Sequence, residues 1–183
     1  MWSDENLVKV LLGGGVAVIP TDTLYGVVGR ALDTKTVERI YQIKNRVPDK
    51  PLIILIGSEE ELKKFSINLS SKQKEILKKY WPGPVSIIFD CNDSKFEYLH
   101  RGTKTLAFRI PNERELRDLL MATGPLVVPS ANPEGMPPAE NIPEAKYYFK
   151  EKVDLYVDGG ERSGKASRLI MLSGDGRETV LRV

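Results

Sequence analysis

The sequence is short of the residues that most often carry catalysis and metal binding. It has one cysteine, Cys91, and one histidine, His100. A single cysteine excludes an internal disulfide and any multi-cysteine zinc site. A single histidine fits poorly with a His-rich metal site or a Ser-His-Asp triad. Within Leu99-His100-Arg101-Gly102 it reads as a surface loop residue. No apolar run approaches the roughly 20 residues of a membrane-spanning helix. Met1 to Asn6 lacks the basic start and apolar stretch of a signal peptide. The expected compartment is the cytoplasm, without a membrane partner. The common nucleotide fingerprints are also missing: there is no Gly-x-x-x-x-Gly-Lys-Ser/Thr loop and no Gly-x-Gly-x-x-Gly. Gly13-Gly14-Gly15 precedes a candidate strand instead of following one, and reads as a helix stop. The chemistry left available is that of Lys, Arg, Ser, Thr, Asn, backbone amides and a bound cation.

The composition, 41% hydrophobic and 28% charged, is that of an ordinary globular domain, and 183 residues suit one domain over 1–183 with a full core. A net charge of +2 gives no bulk signal of nucleic-acid binding, although charge can be segregated on one face. Basic residues crowd at Lys44, Arg46 and Lys50, and again at Arg101 and Lys104. Lys63, Lys64, Lys72, Lys74, Lys78 and Lys79 alternate with apolar residues at helical spacing and read as solvated helix faces.

Apolar runs alternate with helical stretches, which gives an α/β class: a twisted open sheet with helices packed on it. Ser3 is the expected cap of a first helix through Leu12, and 16–19 reads as a buried strand stopped by Pro20. A loop is expected from Thr21 to Gly29. Asp33 or Thr34 caps the next helix, which must end near Asn45 because Pro48 and Pro51 follow. Strands are expected at 52–56, 85–89, 105–110, 126–128, 155–157, 169–172 and 179–183. Further helices are expected from Ser58, over 71–80 and over 113–123. The segment 133–143 carries Pro133, Pro137, Pro138 and Pro143, and should be extended and stiff.

Strands run into small polar loops at Pro20-Thr21-Asp22-Thr23, at Phe108-Arg109-Ile110-Pro111 and at Pro129-Ser130-Ala131-Asn132. Ligands of α/β sheets bind where such loops converge. Any one of these loops alone is equally well explained as turn punctuation. Lys44 and Arg46 lie at a helix C-terminus, where cations meet the helix dipole favourably. They could instead clamp a polyphosphate from a solvent-facing pocket. Being two apart, they can share a ligand only if the chain leaves helical geometry there. The residues alone reach an α/β domain with a polar, cationic pocket built from loops at strand ends.

Taken in order, these segments resemble the YrdC-like family. Pro20-Thr21-Asp22-Thr23-Leu24-Tyr25-Gly26 is similar to its first block, and Lys44-Asn45-Arg46 with Pro51-Leu52 to its Lys-x-Arg block. Trp81-Pro82-Gly83-Pro84-Val85-Ser86 resembles the Pro-Gly-Pro-x-Thr strand start, and Thr105 to Pro111 the Thr-x-x-x-Arg-x-Pro strand. Pro129-Ser130-Ala131-Asn132 resembles the Ser-Ala-Asn loop. Asp158-Gly159-Gly160 with Gly164-Lys165-Ala166-Ser167 resembles the last block. The chain departs from the pattern at Asp22, where Glu is commoner, and at Val47, where a proline is usual. It departs again at Glu134 in place of serine, at Glu140 in place of threonine and at Arg168 in place of threonine. The last three fall in blocks that line the family's nucleotide or threonine site.

The resemblance implies an enzyme that makes L-threonylcarbamoyladenylate from L-threonine, bicarbonate or CO₂, and ATP, releasing pyrophosphate. ATP is then a substrate and Mg²⁺ its implied companion, with the resident metal unknown. The implied use of the product is modification of tRNA position 37 by a downstream tRNA threonylcarbamoyl transferase; direct tRNA contact stays open. By resemblance Lys44 and Arg46 are the catalytic cations and bind ATP with Thr105 and Asn132. Thr21, Arg109, Ser130 and Ser167 contact threonine, and Arg109 suits its carboxylate. Tyr25 packs beside the substrate or serves the core. The alternatives are a non-catalytic RNA-binding module and a relative with a different carbamoyl adenylate.

Overall fold

The computed structural model describes residues 1–183. One mixed sheet runs through the whole chain. Its strands are β1 (Ala17–Pro20), β2 (Tyr25–Arg30), β3 (Ile53–Leu55), β4 (Val85–Asp90), β5 (Thr105–Arg109), β6 (Leu126–Val127), β7 (Leu155–Tyr156), β8 (Arg168–Leu172) and β9 (Glu178–Arg182), in the order β7-β1-β2-β6-β3-β5-β4-β8-β9. The pairs β1/β7, β3/β5 and β4/β8 are parallel and the rest antiparallel. The helices are α1 (Glu5–Leu12), α2 (Thr34–Lys44), α3 (Ser71–Leu77), α4 (Glu97–His100), α5 (Arg114–Thr123) and α6 (Ile142–Phe149). None is long and apolar enough to cross a membrane.

Strand alternation divides the core between the two faces of the sheet. Ala17, Ile19, Val28 and Leu55 pack with Leu7 and Leu11 of α1 and Leu116, Leu119 and Leu120 of α5. Val18, Val27 and Ile54 point the other way, into a larger cluster with Val37, Ile40 and Tyr41 of α2 and Phe149 of α6. The exposed lysines of 63–79 are solvated, as their spacing suggests.

Several expectations need correction. The stretch Thr21 to Gly29 is a hairpin, not a loop: only 21–24 form the turn, and β2 follows. Its glycines conceal the strand, because they are required by close packing. A Cβ on Gly26 would lie 2.5 Å from Val128 Cγ1, and one on Gly29 would lie 2.4 Å from Thr36 Cγ2. The proline-rich segment ends in α6, where Asn141 caps the first turn and Pro143 sits in that turn, where no backbone N–H is needed. Asp4, not Ser3, caps α1. The segment after Ser58 is a 3₁₀ helix, and α3 stops at Leu77, short of Tyr80. His100 is buried, not a surface loop residue; it ends α4, and its Nδ1 accepts the Gly102 N–H at 3.1 Å.

Candidate functional site

A cavity of about 390 Å³ opens on one face of the sheet. Its floor is a row of neighbours on adjacent strands: Ile53 on β3 pairs with Ala107 on β5, which pairs with Ile88 on β4. On β5 the side chains of Thr105, Ala107 and Arg109 line the cavity, while Leu106 and Phe108 are in the core. The converging loops supply the walls, through Thr21, Thr23, Ser130 and Ser167. The lining holds Arg46, Arg109 and Arg182, and no carboxylate. A cavity that presents three guanidinium groups and a rim of hydroxyls, with the carboxylates that pair with Arg109 and Arg46 set outside its lining, suits a small, anionic, hydrogen-bonding ligand.

Arg109 ends β5 and is nearly fully buried. Its Nη1 donates to Asp22 Oδ1 at 2.6 Å, and Nη2 lies 3.4 Å from Thr23 Oγ1. Its Nε is buried without a partner. Burial lowers the Arg109 pKa, and the Asp22 charge and hydrogen bond oppose that. Asp22 also accepts the Asn112 N–H at 2.9 Å, so the hairpin turn and the end of β5 are locked together. Thr21 Oγ1 donates to Leu24 O at 2.7 Å and accepts the amides of Thr23 and Leu24, which shapes that turn.

The Ser130 loop is built from the inside. Ser130 Oγ donates to Asn132 Oδ1 at 2.6 Å, and Asn132 Nδ2 donates to the carbonyls of Pro133 and Met136. Ser130 lines the cavity and Asn132 does not; the Asn132 amide is spent holding the loop. Ser167 Oγ lies 2.9 Å from Ser86 Oγ, and its carbonyl accepts from Arg182 Nε and Nη2 at 2.9 and 2.6 Å. Thr105 Oγ1 donates to Thr103 Oγ1 at 3.1 Å at the cavity rim. Tyr25 belongs to the core and also borders the cavity. It is fully buried, while its hydroxyl donates to Gly160 O and accepts the Gly159 N–H, tying the last loop to β2.

The chain does leave helical geometry after Lys44, where Asn45 takes a left-handed conformation with φ 50°, yet this does not bring Lys44 and Arg46 to one cavity. Arg46 reaches the cavity, with Nε and Nη2 donating to Lys50 O and Pro51 O, each at 3.1 Å. Lys44 does not face solvent. It is 2% exposed, is absent from the cavity wall, and its ammonium donates to the carbonyls of Ser130 and Asn132. Burial, then the Arg46 charge, lowers its pKa to about 7 against the pull of Glu134. The helix end was expected to expose this lysine, but its long stem turns inward and pins the Ser130 loop to α2.

Thr21, Arg46, Thr105, Arg109, Ser130 and Ser167 therefore meet around one cavity, while Lys44 and Asn132 stand behind its wall. Sequence reasoning missed Arg182, because a single basic residue in a terminal strand carries no pattern. Of the departures from the family blocks, Glu140 and Arg168 are exposed and away from the cavity lining, whereas Asp22 is bonded to Arg109 and Glu134 lies 3.6 Å from Arg46. No group of His, Cys, Asp and Glu is arranged to hold a metal ion.

The family model Sua5/YciO/YrdC, described as telomere recombination, matches residues 9–183. The threonylcarbamoyl-AMP synthase of Pyrococcus abyssi is 33% identical over 174 residues, which cover 94% of this chain and 51% of that protein. A putative threonylcarbamoyl-AMP synthase of Methanocaldococcus jannaschii is 32% identical, over 93% of this chain and 81% of its own. The crystal structure of Pyrococcus abyssi Sua5 complexed with L-threonine superposes with a TM-score of 0.87 at 30% identity, over 97% of this chain and 52% of that one. The chain thus spans about half the length of the Pyrococcus relative. With this match running from α1 to the last strand, the chain belongs to the Sua5/YciO/YrdC family.

Proposed function

We propose that the protein makes L-threonylcarbamoyladenylate. The observation that carries the reading is the cavity itself, with arginines at its edge, hydroxyls around its wall and no carboxylate. The threonine amine adds to CO₂ and loses a proton to solvent, giving a carbamate. A carbamate oxygen then attacks the ATP α-phosphorus, and the bond to pyrophosphate breaks. No covalent enzyme intermediate is required, which suits a cavity lined by no cysteine, histidine or carboxylate. Arg109 would hold the threonine carboxylate, with Thr21, Ser130 and Ser167 around it. Arg46, Arg182 and Thr105 would receive the nucleotide. Lys44 and Asn132 would act from behind by fixing the Ser130 loop. Mg²⁺ would arrive with ATP, bound by phosphate oxygens and water, because the chain gathers no carboxylate set to cage it. The product is a reactive mixed anhydride, suited to prompt use by a tRNA threonylcarbamoyl transferase in the cytoplasm.

The direct test is pyrophosphate release from ATP, which should require both L-threonine and bicarbonate. Equal rates with serine, with glycine or with no amino acid would sink the assignment.

Gly164 gives a second test. A Cβ there would lie 2.2 Å from the Thr23 carbonyl oxygen, so the loop leading to Ser167 rests directly on the hairpin turn. Gly164→Ala should lift that loop and lower kcat/KM for threonine on the order of 10²-fold, with little change in melting temperature because the loop is exposed. Unaltered kinetics would show that the loop position does not shape the site.

A further inference from the structure

Two residues that depart from the family blocks face cations of the cavity: Asp22 is bonded to Arg109, and Glu134 faces Arg46 and the neighbouring Lys50. Glu134 Oε1 accepts from Lys50 Nζ at 2.6 Å, and its Oε2 lies 3.6 Å from Arg46 Nη1. Arg46 gives Nε and one N–H of Nη2 to backbone carbonyls, so Nη1 is the nitrogen with both N–H groups free of the backbone, and the Glu134 carboxylate already faces it. Glu134 is also held at its backbone, where its N–H donates to Lys44 O at 2.8 Å. The carboxylate cannot drift far from the 44–50 segment. Its hydrogen bond to Lys50, aided by the Lys50, Arg46 and Lys44 charges, keeps its pKa below the ordinary glutamate value.

We propose that Glu134 is an internal counter-ion that competes with the substrate's polyphosphate for Arg46 and Lys50, and so sets how tightly the nucleotide binds. This rests on reading ATP as the substrate. An incoming polyphosphate meets Arg46 already partly neutralised and must break the contacts of Glu134 with both cations. Once displaced, the carboxylate remains tethered nearby and repels the phosphates. Both effects weaken binding, and both hasten loss of pyrophosphate after the reaction. Water reaches Lys50, whose side chain is 53% exposed, so the effect is moderated by screening. A serine, the residue usual in the resembling block, could not neutralise the pair.

Inorganic tripolyphosphate tests this without depending on threonine chemistry. Titration calorimetry in EDTA would compare the unaltered protein with Glu134→Gln, which keeps the shape and removes the charge, and with Glu134→Ser. Both variants should bind tripolyphosphate about three- to tenfold more tightly, with a gain that shrinks at high salt. Melting curves confirm that each variant is folded. Unchanged or weaker binding by folded Glu134→Gln overturns the proposal, as does absence of tripolyphosphate binding by all three proteins. Weakening that appears only when Mg²⁺ is added makes Glu134 a metal ligand and also overturns it. If tripolyphosphate binds the variants more tightly but pyrophosphate release proves independent of threonine, the substrate assignment fails and the counter-ion role stands.

Discussion

Replacing Arg109 by lysine is expected to weaken L-threonine binding about ten- to a hundredfold, with ATP binding changed by less than about twofold. The guanidinium stands at the end of β5, so its reach is set by a rigid strand. Only Nη1 is firmly used, on Asp22; Nη2 has a long contact to Thr23, and Nε has no partner. Nη2 is thus left with a donor to spare on a residue that lines the cavity, and a substrate carboxylate would engage it. Lysine preserves the charge facing Asp22 but offers a single ammonium in place of the planar fork. Truncation to alanine is a poorer probe. It would leave Asp22 buried without its cation, at a cost of about 3–5 kcal/mol, and a lost ligand would be indistinguishable from a lost fold. Titration of each ligand, with a melting curve on the same Arg109→Lys protein, separates the two roles. A lowered melting temperature with unaltered threonine affinity would make Arg109 only the structural partner of Asp22.

That ambiguity shows how much of the site was legible in the sequence. Thr21, Thr105, Arg109, Ser130 and Ser167 come together because each sits in a short motif beside a strand end, and Arg46 joins them from the motif that ends α2; such motifs are readable in linear order. The depth of a side chain does not. Lys44 and Arg46 look equivalent as written, yet one left-handed residue between them sends the first into the protein and the second to the cavity. Asn132 was placed on the ligand for the same reason, although its amide serves its own loop. Arg182 was invisible because the pairing of β9 with β8, which brings it to Ser167, is a tertiary event.

The fold follows the same rule. The run 52–56 announces a strand by continuous apolarity and 85–89 by an apolar stretch broken only at Ser86, and each proved to be one within a residue or two. The hairpin strand β2 was lost because Gly26 and Gly29 interrupt its pattern, and the need for them lies in Val128 and Thr36, far away in sequence or on the next helix. The helix α6 was lost because Pro143 reads as a breaker unless the Asn141 cap is recognised before it. His100 illustrates the reverse error: a polar neighbourhood suggested exposure, while a single backbone hydrogen bond makes its burial affordable.

Replacing Lys44 by methionine is expected to lower turnover on the order of 10²-fold or more and to change how stability varies with pH. Methionine fills similar space without the ammonium, so the carbonyls of Ser130 and Asn132 lose their donor and the cavity wall loses its anchor to α2. The pH effect has a definite sign. Burial, with Arg46 beside it, lowers the folded pKa of Lys44 to about 7 from 10.5. Between those values the folded protein carries fewer protons at this site than the unfolded chain, so Lys44 gains ground on methionine as pH rises. Below about pH 7 both states are protonated and the difference between the two proteins should be level, at its least favourable for lysine. Through the window it should climb, with a limiting slope of about 1.4 kcal/mol per pH unit. The two carbonyl acceptors favour the ammonium and act against this trend. Urea melts of both proteins at about pH 6, 8 and 9.5 read the difference directly. A flat difference across the window would mean that the carbonyls keep Lys44 an ordinary charged lysine in its buried place. Turnover undiminished in the folded methionine variant would remove Lys44 from the machinery altogether.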